Sequence, residues 1–318
     1  MTENEFSNRL RLHANLAQTK SDRLLVFSAR RHSRFEPDFA QVGGLADRLK
    51  GAVTTYCIAL ATGSAFALDW EVPWPIESIL EPRDYNWKPL TRREHLLEEL
   101  SVRHVDLIDK AAFFERVERE HLFDLVLGSE NLTFLNTNIY STVLVQRLFP
   151  EIDAGKVFSL VFDHLFQYRA PLEFQQLVES VQALRAAHDS LVGVHLRTGS
   201  GNGWSDPTMG SPRQAEAMLR TAAQLAIERG STNPAFYFAS DSEDAKSIAN
   251  SLQGLPGPVF IAEYPVQHID RTQNVDQQAF DFAVTEFMIL ASCDFLLGGA
   301  GNFWHTAALV GGKPFMRA

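Results

Sequence analysis

The second half of the chain alternates short apolar runs with longer amphipathic ones, and that alternation constrains the fold more than any other feature. Residues 191–196 (LVGVHL) precede 212–229, 235–239 (AFYFA) precede 244–252, 259–262 precede 275–292, and 294–297 (DFLL) precede 302–310. Each apolar run is too short for a buried helix and is rich in β-branched or aromatic residues. Strand followed by helix, repeated, predicts a doubly wound parallel sheet whose strands are covered on both faces. Within 282–293, Phe282, Thr285, Glu286, Ile289, Leu290 and Cys293 recur at helical spacing. The first half follows the same grammar: strands over 24–27, 65–68, 102–108 and 123–127, with a loop entering a helix over 44–62. Between them, 70–89 carries Pro73, Pro75, Pro82, Pro89 and three tryptophans, and reads as an ordered aromatic loop. At 318 residues the chain suits two domains. The expected fold is α/β, with Rossmann-like domains over 1–165 and 166–318 facing a cleft, and ligands at the carboxyl ends of the strands.

Composition narrows the partners. With 29 Lys+Arg against 39 Asp+Glu the formal net charge is −10, which argues against a nucleic-acid partner. Any phosphate must then be met by local arginines. Cys57 and Cys293 form no CxxC pair, so neither a zinc knuckle nor a disulfide framework is encoded. The start MTENEFSNRL lacks the basic and apolar regions of a secretory signal, and a cytoplasmic protein is expected. Residues 51–68 carry no charge, but Thr54, Thr55, Thr62, Gly63 and Ser64 make the stretch too polar for a membrane span. Gly63 there predicts a helix stop followed by a strand.

Four stretches bear residues suited to chemistry. In Val192-Gly193-Val194-His195-Leu196-Arg197-Thr198-Gly199, alternation puts Gly193, His195 and Arg197 on one face of a strand that opens into a glycine-rich turn. A strand over 235–239 delivers Ser240 and Asp241, where Asp241 either accepts paired donors or, with Asp244, forms part of a helix cap. The spacing Asp241-x-Glu243-Asp244 invites a metal reading but has no third ligand. In 294–305 a strand feeds Gly298-Gly299-Ala300-Gly301-Asn302 and then a helix, whose unpaired N–H groups suit an anion; the plain alternative is a tight turn with Asn302 as cap. Val42-Gly43-Gly44-Leu45-Ala46-Asp47-Arg48 repeats that arrangement in the first half, with Arg30 and Arg31 upstream. None of these matches GxGxxG or a phosphate loop ending in GK[ST], and 24–27 runs into Ser28-Ala29-Arg30-Arg31, which speaks against nicotinamide and ATP chemistry.

In order and spacing, GGLADRLKG, the Asp69-Trp70 strand end, GVHLRTG, FYFASD and DFLLGGAGNFWHTAALVGGKP resemble the fucosyltransferase superfamily of protein O-fucosyltransferases, α-1,6-fucosyltransferases and nodulation fucosyltransferases. The resemblance runs from Gly43 almost to the carboxyl terminus, with H-x-R as its most specific piece. It implies a GT-B arrangement, a GDP-fucose donor, inversion at the anomeric carbon, and no metal or other cofactor. Residue by residue it implies that Arg197 binds the donor phosphates and that His195 lies beside the nucleotide. Asp241 would help hold guanosine, Gly301, Asn302 and Phe303 would form the phosphate loop, and Gly43, Gly44 and Arg48 would complete the nucleotide-sugar site. The 1–165 domain would take the acceptor, a glycan or other hydroxyl. Thr198 follows Arg197 as in the O-fucosyltransferases. Ala300, Gly301 and Asn302 stand where the family supplies Ser or Thr, and Ala46-Asp47 stands in place of Gly-Asn. Asp47 is the first candidate for an acceptor base and Asp206 the second. The rival reading is a non-catalytic nucleotide-sugar or glycan-binding protein on the same fold. Trp70, Trp74 and Trp87 either stack on a sugar or form local core.

Overall fold

The computed structural model describes residues 1–29, 43–88, 102–107, 131–201, 204–205, 209–264 and 275–318. Arg30, Arg31, Asp206 and the strand expected over 123–127 lie outside them. The chain divides into two compact units, Met1–Tyr168 and Arg169–Ala318.

The first unit opens on α1 (Glu3–Lys20), a helix the sequence reading passed over. Thr2 and Glu5 form a reciprocal capping box at its start, and Phe6, Leu10 and Ala14 recur every fourth residue as its buried stripe. Strand β1 (Leu24–Ser28), helix α2 (Leu45–Thr62) and strand β2 (Ala65–Asp69) follow as a parallel crossover. Gly63 ends α2 in the left-handed conformation, φ 69°, where a side chain would be strained. The proline-rich stretch is more regular than expected: Ile76–Ser78 makes a 3-10 turn, and β3 (Leu80–Pro82) pairs antiparallel with β6 (Phe166–Tyr168). Pro82 is tolerated because that two-stranded ribbon has no central strand. Strands β4 (Val102–Asp106) and β5 (Leu132–Asn136) complete a parallel sheet of order β2-β1-β5-β4, and helices α3 (Thr142–Leu148) and α4 (Ala154–Leu165) precede β6. Strand β5, in the middle of that sheet, was not expected from the sequence.

The second unit contains α5 (Leu172–Ala187), β7 (Ser190–Leu196), the short antiparallel pair β8 (Ser200–Gly201) and β9 (Trp204–Ser205), α6 (Gln214–Glu228), β10 (Pro234–Ser240) and α7 (Glu243–Ser251). It continues with β11 (Val259–Ile261), α8 (Gln277–Ser292), β12 (Phe295–Gly298), α9 (Phe303–Gly311) and β13 (Phe315–Arg317). Its sheet is parallel throughout, in the order β11-β10-β7-β12-β13. The two faces of that sheet differ in kind. Val192, Val194, Leu196, Phe236 and Phe238 point to one side and pack with the alanine-rich faces of α6 and α7 as a dry core. Gly193 and Tyr237 are paired in register and face the other side, where a Cβ on Gly193 would meet Cys293 Sγ and Leu290 Cδ2 at 3.1 Å. Small size at Gly193 thus admits α8, and that face carries His195 and Tyr237 among the apolar Leu191, Ala235, Ala239 and Leu296. Cys57 and Cys293 are both free and buried. Among the described residues no helix is long and apolar enough to cross a membrane.

Candidate functional site

In the second unit the chain runs from β7 outward to β10 and β11, then returns through α8 to β12 and β13 on the opposite side of β7. Crossovers on either side of the β7/β12 junction therefore diverge, leaving a crevice at the carboxyl ends of those two strands, where open α/β sheets hold ligands. His195 and Gly298 are register partners at that edge. Arg197 follows β7, and Gly299 to Gly301 follow β12.

Arg197 is half-buried, and its carbonyl accepts from Gly210 N at 2.9 Å. Gly301 has φ 89°, and a Cβ there would stand 3.2 Å from Arg197 Cδ, so the bare glycine lets the arginine stem lie across the turn. His195 is buried, its ring stacked on Phe303 at 5.2 Å, and its Nδ1 makes no hydrogen bond. Burial holds its pKa down to about 4; the Asp241 charge opposes this and Arg197 reinforces it. The imidazole is therefore neutral at pH 7, a hydrogen-bonding group rather than a cation.

The turn after β12 is shaped by contact with a ring. A Cβ on Gly298 would fall 2.1 Å from the Trp304 indole, whose Nε1 donates to Gly299 O at 3.1 Å. Asn302 occupies the N-cap position of α9 without a side-chain capping bond, so the expected plain cap is not what holds the helix start. Thr306 Oγ1, in the first turns of the same helix, is buried and makes no hydrogen bond. The start of α9, with its orphan N–H groups and positive dipole end, thus lies beside the turn where Arg197 crosses Gly301.

Asp241 does not cap α7. Ser242 does, accepting from Ala245 N at 3.3 Å, which corrects the Asp241/Asp244 capping box. The carboxylate of Asp241 instead accepts from Thr198 N (2.7 Å), Thr198 Oγ1 (2.9 Å) and Gly199 N (3.0 Å). Glu243 pairs with Lys246 at 3.0 Å, and among the described residues no group of three or more His, Cys, Asp or Glu is placed to hold a metal ion.

Glu286 on α8 escaped the sequence reading, which took it as one position of an apolar stripe. It is buried, and burial lifts its pKa to about 7, with Asp241 adding to the rise and Lys246 and the Tyr237 hydroxyl opposing it. Lys246 is buried too, its Nζ donating to Glu243 Oε1 and Tyr264 O at 3.0 Å each. An acid inside a helix's apolar stripe was the signal, because carboxylates are rarely buried without a task.

The residues expected in the first unit form a group of their own. Gly43 has φ 95°, Gly44 begins α2, and Asp47 Oδ1 pairs with Lys50 Nζ at 2.7 Å. Arg48 is buried: Nε donates to Gly43 O at 2.9 Å, Nη1 donates to Val72 O, and the guanidinium lies 5.6 Å from the Trp70 ring. Trp70 and Trp87 are buried, Trp87 donating to Leu165 O at 2.8 Å, so both belong to the local core of this unit. At the carboxyl edge of its sheet, Ser28 Oγ donates to Asp69 Oδ2 at 2.8 Å.

No family model and no curated protein matches the sequence. Among solved structures, Arabidopsis thaliana FUT1, a substituted variant in complex with GDP, matches at TM-score 0.59 and 13% identity, over 96% of this chain and 73% of that one. NodZ α-1,6-fucosyltransferase co-crystallised with GDP matches at TM-score 0.48 and 16% identity, over 92% of this chain and 93% of that one. The likeness is one of fold: this chain has a fucosyltransferase-like α/β architecture.

Proposed function

We propose that the protein is a glycosyltransferase that moves a sugar, fucose first among candidates, from a guanosine diphosphate donor to a hydroxyl of a glycan or other acceptor, with inversion and without a metal. The observation that carries this reading is Arg197 lying across Gly301 beside the start of α9, at the switch point of the sheet. The GDP in the FUT1 complex supports the choice of nucleotide. In the proposed step the acceptor oxygen attacks the anomeric carbon from the face opposite the diphosphate. The bond from that carbon to the diphosphate oxygen breaks, its electron pair leaves with GDP, and the acceptor proton passes to a base.

Negative charge grows on the diphosphate as that bond breaks, so a cation aimed there stabilises the transition state more than the ground state. Arg197 suits this role because a guanidinium pairs with phosphate as a planar fork and stays charged at any working pH. The orphan N–H groups of α9 and the glycines before it would take further phosphate oxygens. Neutral His195, with its unpartnered Nδ1, would hydrogen-bond the nucleotide. Asp47, whose carboxylate lies 2.7 Å from Lys50 Nζ at the start of α2, remains the first candidate base.

The test is calorimetric titration of GDP, GDP-fucose and GDP-mannose into wild type and Arg197→Ala, followed by assay of sugar release. Micromolar-range binding of guanine nucleotides, lost in Arg197→Ala, with fucose released or transferred, is the expected result. Binding without any sugar release would make the protein a nucleotide-sugar binder. Failure of wild type to bind GDP would end the proposal.

A further inference from the structure

We infer that Asp241 is a positioning residue, which aims Arg197 by bracing the chain that follows it, rather than a ligand of the nucleoside. This rests on the reading of Arg197 as the diphosphate contact. A carboxylate offers two oxygens, and both are engaged with the same short loop. Oδ1 accepts from Thr198 N at 2.7 Å and Thr198 Oγ1 at 2.9 Å, and Oδ2 accepts from Gly199 N at 3.0 Å. Gly199 has φ 73°, so the chain reverses there, and the bond from its N–H to Asp241 ties that reversal to the end of β10.

The chain before the loop is tied to the same strand end. Ser240 Oγ donates to Leu196 O at 2.7 Å, and Gly210 N donates to Arg197 O at 2.9 Å. Main-chain groups of residues 196 to 199 are thereby held in succession, and Arg197 sits inside that run. Beyond the backbone, its stem meets Gly301, where a Cβ would approach Cδ to 3.2 Å. The direction of the guanidinium is therefore set from two sides: the Asp241 brace below and the glycine turn beside it. A misplacement of about 1 Å at a reacting centre costs on the order of 10²-fold in rate, so a brace of this kind acts on catalysis without touching substrate.

Chemistry distinguishes a brace from a ligand. In Asp241→Asn the side chain keeps one acceptor oxygen and gains an NH2 that faces donors, so the loop loses at least one of its three bonds. Binding should be measured with guanosine and with GDP on wild type, Asp241→Asn, Arg197→Ala, the double variant, and Thr198→Val, which deletes one donor to the brace and leaves Asp241 in place. The expected result is a loss of about tenfold or more in GDP affinity for Asp241→Asn with guanosine affinity unchanged. The double variant should lose no more than Arg197→Ala alone, the non-additivity expected of two residues acting as a unit. Thr198→Val should show the same pattern, more weakly. Equal losses for guanosine and GDP, or losses that add in the double variant, would overturn the inference. A wild type in which Arg197→Ala leaves GDP binding intact would instead sink the underlying reading, and the two failures are separate in the same data set.

Discussion

Each unit has a glycine turn opening a helix at the carboxyl edge of a parallel sheet, with an arginine beside it: Gly43, Gly44 and Arg48 in the first, Gly298 to Gly301 and Arg197 in the second. The two arginines are used differently. Arg48 sits on the helix that its own turn opens, so it folds back onto the carbonyl of Gly43 and the carbonyl of Val72 and lies over Trp70. Arg197 arrives from a neighbouring strand and reaches the turn from outside, over a glycine that leaves it room. An arginine local to a turn has main-chain acceptors within reach and tends to be spent on them; one delivered across strands can present its charge to a ligand. The same sequence signature therefore marks a structural clamp in one unit and a candidate phosphate contact in the other.

That contrast is broken most directly by the pair Arg197→Ala and Arg48→Ala. Arg197→Ala should lower sugar transfer by about 10²–10³ with little change in melting temperature. Arg48→Ala should do the reverse, removing about 2–4 kcal/mol of stability because a buried side chain is lost and two half-buried carbonyls lose a charged donor, as measured by denaturant titration. Equal effects of both on transfer at matched stability would erase the distinction. A smaller effect is expected at the glycines. Gly301→Ala strains a left-handed residue and crowds Arg197, so GDP affinity should fall several-fold. Gly63→Ala meets open space at φ 69° and should cost about 1 kcal/mol of stability with GDP affinity unchanged.

A pH dependence is expected in the second unit. Burial holds Glu286 at about 7, above the usual carboxylate range, so between about pH 4.5 and 7 the unfolded chain releases a proton that the folded one keeps. The contribution of this group to stability therefore falls as pH rises through that window and levels off above it. Glu286→Gln should gain on wild type in thermal melts from pH 5 to pH 8, by roughly 2 kcal/mol at the upper end. A difference that stays flat with pH would show that Glu286 ionises freely in the folded protein.

The legibility of the chain follows from the range of the interactions that form each feature. Strands β7, β10, β11 and β12 were readable because apolar runs between amphipathic segments have one physical use in a buried parallel sheet. Helix α1 was missed because its polar surroundings hide the Phe6, Leu10, Ala14 stripe, and β5 because Leu132 to Asn136 (LTFLN) is too short and mixed to stand out. At the site, alternation along one strand placed His195 and Arg197 on one face. The tasks of Asp241, Ser242 and Glu286 were not readable, since each depends on a partner some residues or strands away.

Local order, then, was written in the sequence: period along a helix, alternation along a strand, glycine where the chain must turn, and hence the α/β class and the strand that bears Arg197. Only the packed structure decided which of two arginines folds back on its own turn and which lies across a neighbouring glycine, which acid is held near neutrality, and which carboxylate braces a loop. The reason is that spacing specifies a side chain's direction from its own backbone, whereas its burial, its hydrogen-bond partners and its pKa depend on chain segments brought alongside by the fold.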